Sequence, residues 1–371
     1  MHYFIFPTSD TWISSGSNPI NGESFKDQNF GRDQILEVKK HFYNKSFDHQ
    51  TRALVNFNGT SFTEMSKSIV SGDIPSNASF FLRMYEAQGN SDLSSNYTLA
   101  IQPISESWTE GTGKFGDDPK TTNGCSWKNT SYPEGSSEVN WYKPGGTITN
   151  VGSSSVQSFS NESPDIEVNV TDMVNMWLDS SIDNYGMLIR FSGSQETDSS
   201  TFGKLKFFGK DTHTIYAPRI EVRWAGHTSY TGSNGLNTGS LSELDVSGNT
   251  DNFIYTIGWQ DKYRETDKPK FRIGARKQFI QKSFTNSYNT TSGSYIPEES
   301  GSYAIVDVAT GEKVIDFSDN SKLSCDTKSN YFIEYMNGFY PDRTYKVLIK
   351  VKYDDGQERI YDNDFEFKLV R

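Results

Sequence analysis

Two cysteines in 371 residues are too few for a disulfide framework, and Cys125 and Cys325 stand 200 positions apart with no CxxC spacing. They read as free, buried thiols. Histidine is scarce as well. His2, His41, His49, His213 and His227 form no HxH or HExxH pattern, and the spacing of His41 and His49 is too long for a local ligand pair. No G-x-S-x-G elbow and no phosphate-binding GxxxxGK[ST] or GxGxxG loop occurs, which removes the usual signatures of acyl transfer and nucleotide chemistry. No window reaches the ~18 apolar residues of a membrane-spanning helix. The opening MHYFIFPTSDTW lacks the basic and apolar regions of a secretory signal. A net charge of −11 repels phosphate backbones, so nucleic acid is not an expected partner and membrane insertion is not expected either.

What the chain has instead is aromatic residues and turn formers. Hydrophobic residues make up 34% and aromatic ones 14%, with 25 Phe, 20 Tyr and 7 Trp. Pleated surfaces favour aromatic and β-branched side chains, and Gly, Ser, Asn and Thr supply the turns between short strands. Apolar alternation predicts strands over His2–Phe6, Gln34–Lys39, Arg52–Phe57, Ser79–Ala87, Tyr97–Pro103, Ile166–Val170, Gly186–Phe191, Lys204–Phe208 and Pro218–Trp224. One segment departs from this period. Val170, Met173, Val174 and Trp177 fall at helical spacing, with Thr171 or Asp172 as the cap, and predict one short helix ending near Leu178.

Residues 226–250 are rich in Gly, Ser, Asn and Thr and read as a linker. Beyond them strands resume at Phe253–Trp259, Lys270–Ile273, Ser302–Val308, Lys313–Phe317, Tyr331–Met336, Thr344–Tyr353 and Asp364–Val370. Turns are expected at Thr310-Gly311 and Asp354-Asp355-Gly356. The expected fold class is all-β: a jelly-roll or β-sandwich domain over 1–225, a linker over 226–250, and a smaller immunoglobulin-like β-sandwich over 251–371.

Candidate site residues are few. In SESWTEGT, Glu106 and Glu110 flank Trp108, an aromatic platform with acids beside it. The competing reading places Trp108 in the core and the acids in solvent. Trp12, Trp127, Trp141 and Tyr142 are further candidates for stacking on sugar rings, and Trp141-Tyr142 precedes a Pro144-Gly145-Gly146 turn. The same aromatics suit a core or a subunit interface. Asp10, Asp117 and Asp118 are loop oxygen donors of the type hard cations take, so a structural Ca2+ is the one cofactor the pattern allows. No catalytic constellation stands out, and the chain is not expected to be an enzyme.

An ordered set of segments carries a family resemblance: TSDTWI at Thr8–Ile13, NFGRDQILEV at Asn29–Val38, RALVNFN at Arg52–Asn58, IPSNASFFLRMYEA at Ile74–Ala87 and SESWTEGT at Ser105–Thr112. GCSWKN at Gly124–Asn129, VNVTDMVNMWL at Val168–Leu178, YGMLIRFS at Tyr185–Ser192 and APRIEVRW at Ala217–Trp224 complete it. Together they resemble the DNRLRE family of disaggregatase-related β-jelly-roll domains, which implies a fold shared with carbohydrate-binding modules. The stretch Pro341–Arg371 resembles the terminal β-modules of tailed-bacteriophage structural proteins. With no signal peptide visible, the two resemblances together imply a virion component of tail, neck, baseplate or capsid periphery. It would be made in the host cytoplasm and assembled with other virion proteins or with copies of itself. The alternative is a carbohydrate-binding adhesin or accessory module that meets a cell-surface glycan.

Overall fold

The structure is a computed structural model. It describes residues 1–19, 21–43, 46–89, 96–133, 135–149, 155–160, 165–232, 235–236, 238–279 and 293–371. The protein is an all-β chain of sandwich and jelly-roll type. It divides into two compact units, one of Phe4–Val222 and one of Arg223–Arg371 together with Met1–Tyr3.

A four-stranded sheet has the order His2–Ile5, Arg219–Arg223, Ser79–Met84, Ile166–Asn169. A seven-stranded sheet runs Gly203–Phe208, Ile35–Tyr43, Ser46–Asn56, Met187–Phe191, Asn96–Pro103, Ser155–Ser160. Its seventh strand, Ser9–Ser14, pairs with the second half of Ser46–Asn56, from Ser9 opposite Asn56 to Ser14 opposite Thr51. Ile35–Tyr43 pairs with the first half, which sets His41 opposite His49 in the ladder. The distance in sequence between these two histidines is therefore no measure of their separation.

The alternation seen in the sequence is the alternation of burial. Phe80, Leu82 and Met84 are buried on one face of their strand, and Leu205 and Phe207 on one face of theirs. Each such side chain removed from water contributes about 1.5–3 kcal/mol.

The expected helix is present as Thr171–Leu178, burying Met173, Val174 and Trp177. Its cap differs from expectation. Val170 is the N-cap without a side-chain bond, and the Thr171 hydroxyl accepts the Phe80 backbone N–H at 2.9 Å instead. A second helix, Thr60–Ser71, is longer and was not expected. Phe62, Met65 and Ile69 stand at helical spacing along it, with Met65 fully buried, and Gly72 closes it in left-handed geometry.

The other unit is a two-sheet sandwich. One sheet has the order Ser242–Glu243, Ser294–Tyr295, Lys270–Lys277, Asn330–Ile333, Ser324–Cys325, with Asn252–Ile257 also paired to Lys270–Lys277. The other runs Lys262–Arg264, Glu358–Val370, Thr344–Lys352, Gly301–Asp307, Lys313–Ile315. Tyr345, Val347, Ile349 and Val351 alternate inward. Between the layers the rings of Tyr303 and Phe332 stack at 3.8 Å.

Residues 226–250, expected as a linker, fall inside this unit. Tyr230, Leu244 and Val246 are buried there. The Tyr230 hydroxyl accepts from Asn330 at 2.7 Å, and the Leu244 N–H donates to the Tyr295 carbonyl at 2.8 Å.

Among the described residues no helix is long and apolar enough to cross a membrane.

Candidate functional site

The loops between residues 104 and 149 converge on one side chain. Asn29 is fully buried, and its Nδ2 donates to the carbonyls of Glu110 at 2.7 Å and Cys125 at 2.8 Å. Its Oδ1 accepts the N–H groups of Gly113 at 2.8 Å and Gly31 at 3.1 Å, and its own N–H donates to Thr121 at 2.9 Å. A buried amide with this many partners over-determines the loop path. The loops meet backbone to backbone. Gly111 has φ +82° and Gly124 φ +98°, and a Cβ on Gly124 would sit 2.5 Å from the Gly111 Cα. Only glycine satisfies both conditions.

This framework leaves a groove of about 530 Å³ lined by Ser9, Trp108–Thr112, Asn123, Gly124 and Ser131–Pro133. A second hollow of about 470 Å³ adjoins it, sharing Asn123, Tyr132 and Pro133 and adding Thr121, Thr122 and Ser136. The lining is an aromatic ring, an indole edge, an amide and a row of hydroxyls. Asn123 and Thr112 bond each other, with the Thr112 N–H donating to Asn123 Oδ1 at 3.0 Å. Such a surface offers donors and acceptors to ligand hydroxyls and an apolar face to ligand C–H groups.

The expected candidates are distributed as follows. Trp108 reaches the groove but is only 9% exposed. Its indole N–H donates to the Tyr185 carbonyl at 2.8 Å, and its ring packs with Ile13, Leu54, Ile104, Cys125, Trp141 and Leu188. Trp141 is 3% exposed and its N–H donates to the Ser126 carbonyl at 2.8 Å, so it is core rather than platform. Tyr142 is 81% exposed, and its backbone N–H is held by Glu106 at 3.1 Å. Neither Glu106 nor Tyr142 lines the groove. Trp127 lies against the same core cluster and carries the Arg52 guanidinium 4.8 Å from its centroid. Trp12 is buried, stacked on Phe30 at 3.6 Å, and donates to Asp33 at 2.9 Å.

Glu110 does line the groove, but its carboxylate is engaged. Oε1 accepts the Asp10 N–H at 2.8 Å and the Lys210 ammonium at 3.1 Å. It is the one acid in the groove's lining among the described residues. A glycosidase needs two carboxylates across the scissile bond.

Among the described residues Asp10, Asp117 and Asp118 belong to no group of three or more His, Cys, Asp or Glu side chains placed to hold a metal. Asp10 is buried, its carboxyl pushed up to about 7 by that burial and by Glu110 and Asp211. Its Oδ2 accepts the Lys210 N–H at 2.5 Å. The Lys210 ammonium, 3.1 Å from both Glu110 and Asp211, is the cation of this cluster. Asp117 turns back on its own loop, accepting from Lys114 N–H at 2.8 Å and Thr121 at 2.6 Å, and Asp118 precedes a cis peptide to Pro119.

Tyr132, Asn123, Thr112 and Ser131 were not singled out by sequence reasoning. The Asn123-Gly124 pair was the available signal, since Asn-Gly marks a tight turn that brings its neighbours together.

Residues 2–143, fewer than half of the chain, match the profile of carbohydrate-binding module family 96, and that stretch is similar to this family. Among solved structures, the adhesin domain of Epf from Streptococcus pyogenes is aligned at 9% identity over 100% of this chain and 91% of that one, with a TM-score of 0.16, a likeness too slight to carry an argument. No curated protein matches. The profile match bears on a carbohydrate-binding, β-rich domain rather than on a virion component, and so favours the alternative reading of the sequence.

Proposed function

We propose that the Phe4–Val222 unit is a non-catalytic carbohydrate-binding module, that a glycan seats in the groove of Trp108, Thr112, Asn123 and Tyr132, and that the chain serves as an adhesin or accessory module. The observation that carries this reading is a coincidence of position. Every residue lining the groove, from Ser9 to Pro133, falls inside the stretch 2–143 that resembles a carbohydrate-binding family. The chemistry agrees. Tyr132 supplies a ring for the C–H face of a sugar, while Asn123, Thr112 and Ser131 supply polar groups for its hydroxyls. Glu110, the one acid in the groove's lining among the described residues, is bonded to the Lys210 ammonium and the Asp10 N–H, and a glycosidase needs two carboxylates, which supports binding without cleavage.

The test is affinity electrophoresis of the full chain against a panel of soluble polysaccharides, followed by titration calorimetry with the best ligand. Tyr132→Ala is expected to weaken binding about tenfold with the melting temperature unchanged, and no reducing ends are expected to appear. Absence of binding to every glycan, or binding indifferent to Tyr132, would refute the assignment of the groove.

A further inference from the structure

In the Arg223–Arg371 unit, the strand Lys270–Lys277 has Asn252–Ile257 on one side and Asn330–Ile333 on the other. Side chains alternate across a strand. Phe271, Ile273 and Ala275 are buried, so Lys270, Arg272, Gly274 and Arg276 point to the outer face. The register then lays out that face: Phe253 opposite Arg276, Tyr255 opposite Gly274, and Ile257 opposite Arg272, with Tyr331 across from Arg272 on the far side.

The rings there are arranged flat. A Cβ on Gly274 would lie 2.4 Å from the Tyr255 ring, so the absent side chain is what lets that ring rest on the sheet. The Phe253 ring lies 6.0 Å away and only 18° from parallel. Phe253 is 39% exposed and Ile257 36%, apolar surface that the core does not use.

The charge of this face is opposite to that of the chain. Lys270, Arg272 and Arg276 share one outer row, while the whole chain carries −11. Asp326 pairs with both Lys270 and Arg272. Arg276 has no carboxylate partner among the described residues. It lies 4.6 Å from the Phe253 centroid and donates to the carbonyls of Lys277 and Gln278.

We infer that this outer face is a second binding site, and that its ligand is an acidic polysaccharide whose carboxylate groups meet Arg276 while its sugar faces pack on Tyr255 and Phe253. The cations require an anionic ligand, and the flat rings require one with apolar faces. Duplex nucleic acid has both properties, but its one charge per about 1.7 Å of axis is repelled by a −11 chain more than a polysaccharide with its charges spaced one per sugar, and the single-stranded form is a comparison in the test. This site lies outside residues 2–143 and does not depend on the assignment of the groove.

The experiment is affinity electrophoresis of the full chain in gels containing polygalacturonate, with its fully methyl-esterified form and a short single-stranded DNA as comparisons. Retardation by polygalacturonate is expected, weakening with added salt and falling at least about fivefold in Arg276→Gln and in Tyr255→Ala, while Tyr132→Ala leaves it unchanged. Arg276→Gln removes a charge from a solvent-facing position, so it reports on the site even if Tyr255→Ala loosens the sheet. The inference is overturned if polygalacturonate does not retard the wild-type chain, if neither face variant changes retardation, if Tyr132→Ala alone abolishes it, or if DNA binds more tightly through the same residues. A failure of Tyr132→Ala to affect neutral glycans would overturn the groove and leave this result standing.

Discussion

Asn29 and Glu110, 81 positions apart in sequence, are joined by a 2.7 Å hydrogen bond from the buried amide of one to the backbone carbonyl of the other. That bond and its companions to Cys125, Gly113 and Gly31 hold the groove's loops in place. Asn29→Ala would leave two carbonyls and two N–H groups with no partner at a buried position. A loss of about 2–4 kcal/mol of stability is expected in urea unfolding, together with loss of glycan binding. Loss of stability with binding intact would show that the groove does not depend on this framework.

Burial sets the Asp10 carboxyl at about 7, above the 3.8 it has when exposed. Between these values the folded chain holds a proton that the unfolded chain has released, so this group makes stability fall as pH rises through that window. The slope is at most about 1.4 kcal/mol per pH unit. Asp33, raised to about 6 chiefly by burial, acts in the same direction. Asp10→Asn is expected to flatten the decline between pH 4 and 7 in chemical denaturation curves. An unchanged profile would mean that Asp10 is ionised in the fold.

Glu334 behaves in the opposite sense. It is fully buried, and burial works against its charge, but His2 beside it at 2.8 Å and the hydrogen bonds from His2 and the Tyr303 hydroxyl outweigh that and hold its carboxyl below the usual range. Its contribution is present above the ordinary glutamate value and is lost as pH falls through the depressed one. Glu334→Ala takes the acceptor from both His2 and Tyr303 and is expected to cost about 3–5 kcal/mol, read as a lower unfolding midpoint at neutral pH. A cost under about 1 kcal/mol would show that the buried pair contributes little.

Both cysteines are free and buried. Burial pushes the Cys325 thiol up to about 12 and raises that of Cys125 as well. Neither is expected to react with an aromatic disulfide reagent at pH 8 in the native chain, and both are expected to react at once in denaturant. Rapid native labelling of either would indicate local opening around it.

Most strands were legible because their period of two is the same in sequence and in burial. Thr344–Lys352 alternates in both. The Thr60–Ser71 helix was missed although Phe62, Met65 and Ile69 recur at helical spacing, because the Ser and Thr residues between them read as turn formers. Residues 226–250 misled in the other direction, since their composition is polar while Tyr230, Leu244 and Val246 enter a core. Among the site candidates, Trp108 and Glu110 were visible as an aromatic beside an acid. Trp141 was visible but is core, since its indole N–H finds a backbone carbonyl inside.

By itself the sequence determined the all-β class, the place of one helix and the inward face of each long strand, all of which depend on residues near one another in the chain. Only the tertiary structure decided which residues form a surface. Asn29 meets Glu110 and Cys125 across 81 and 96 positions, and Tyr255 lies on Gly274 because the register sets one opposite the other. Periodicity constrains which way a side chain points, but its neighbours come from loop closure and strand pairing, which long-range packing selects.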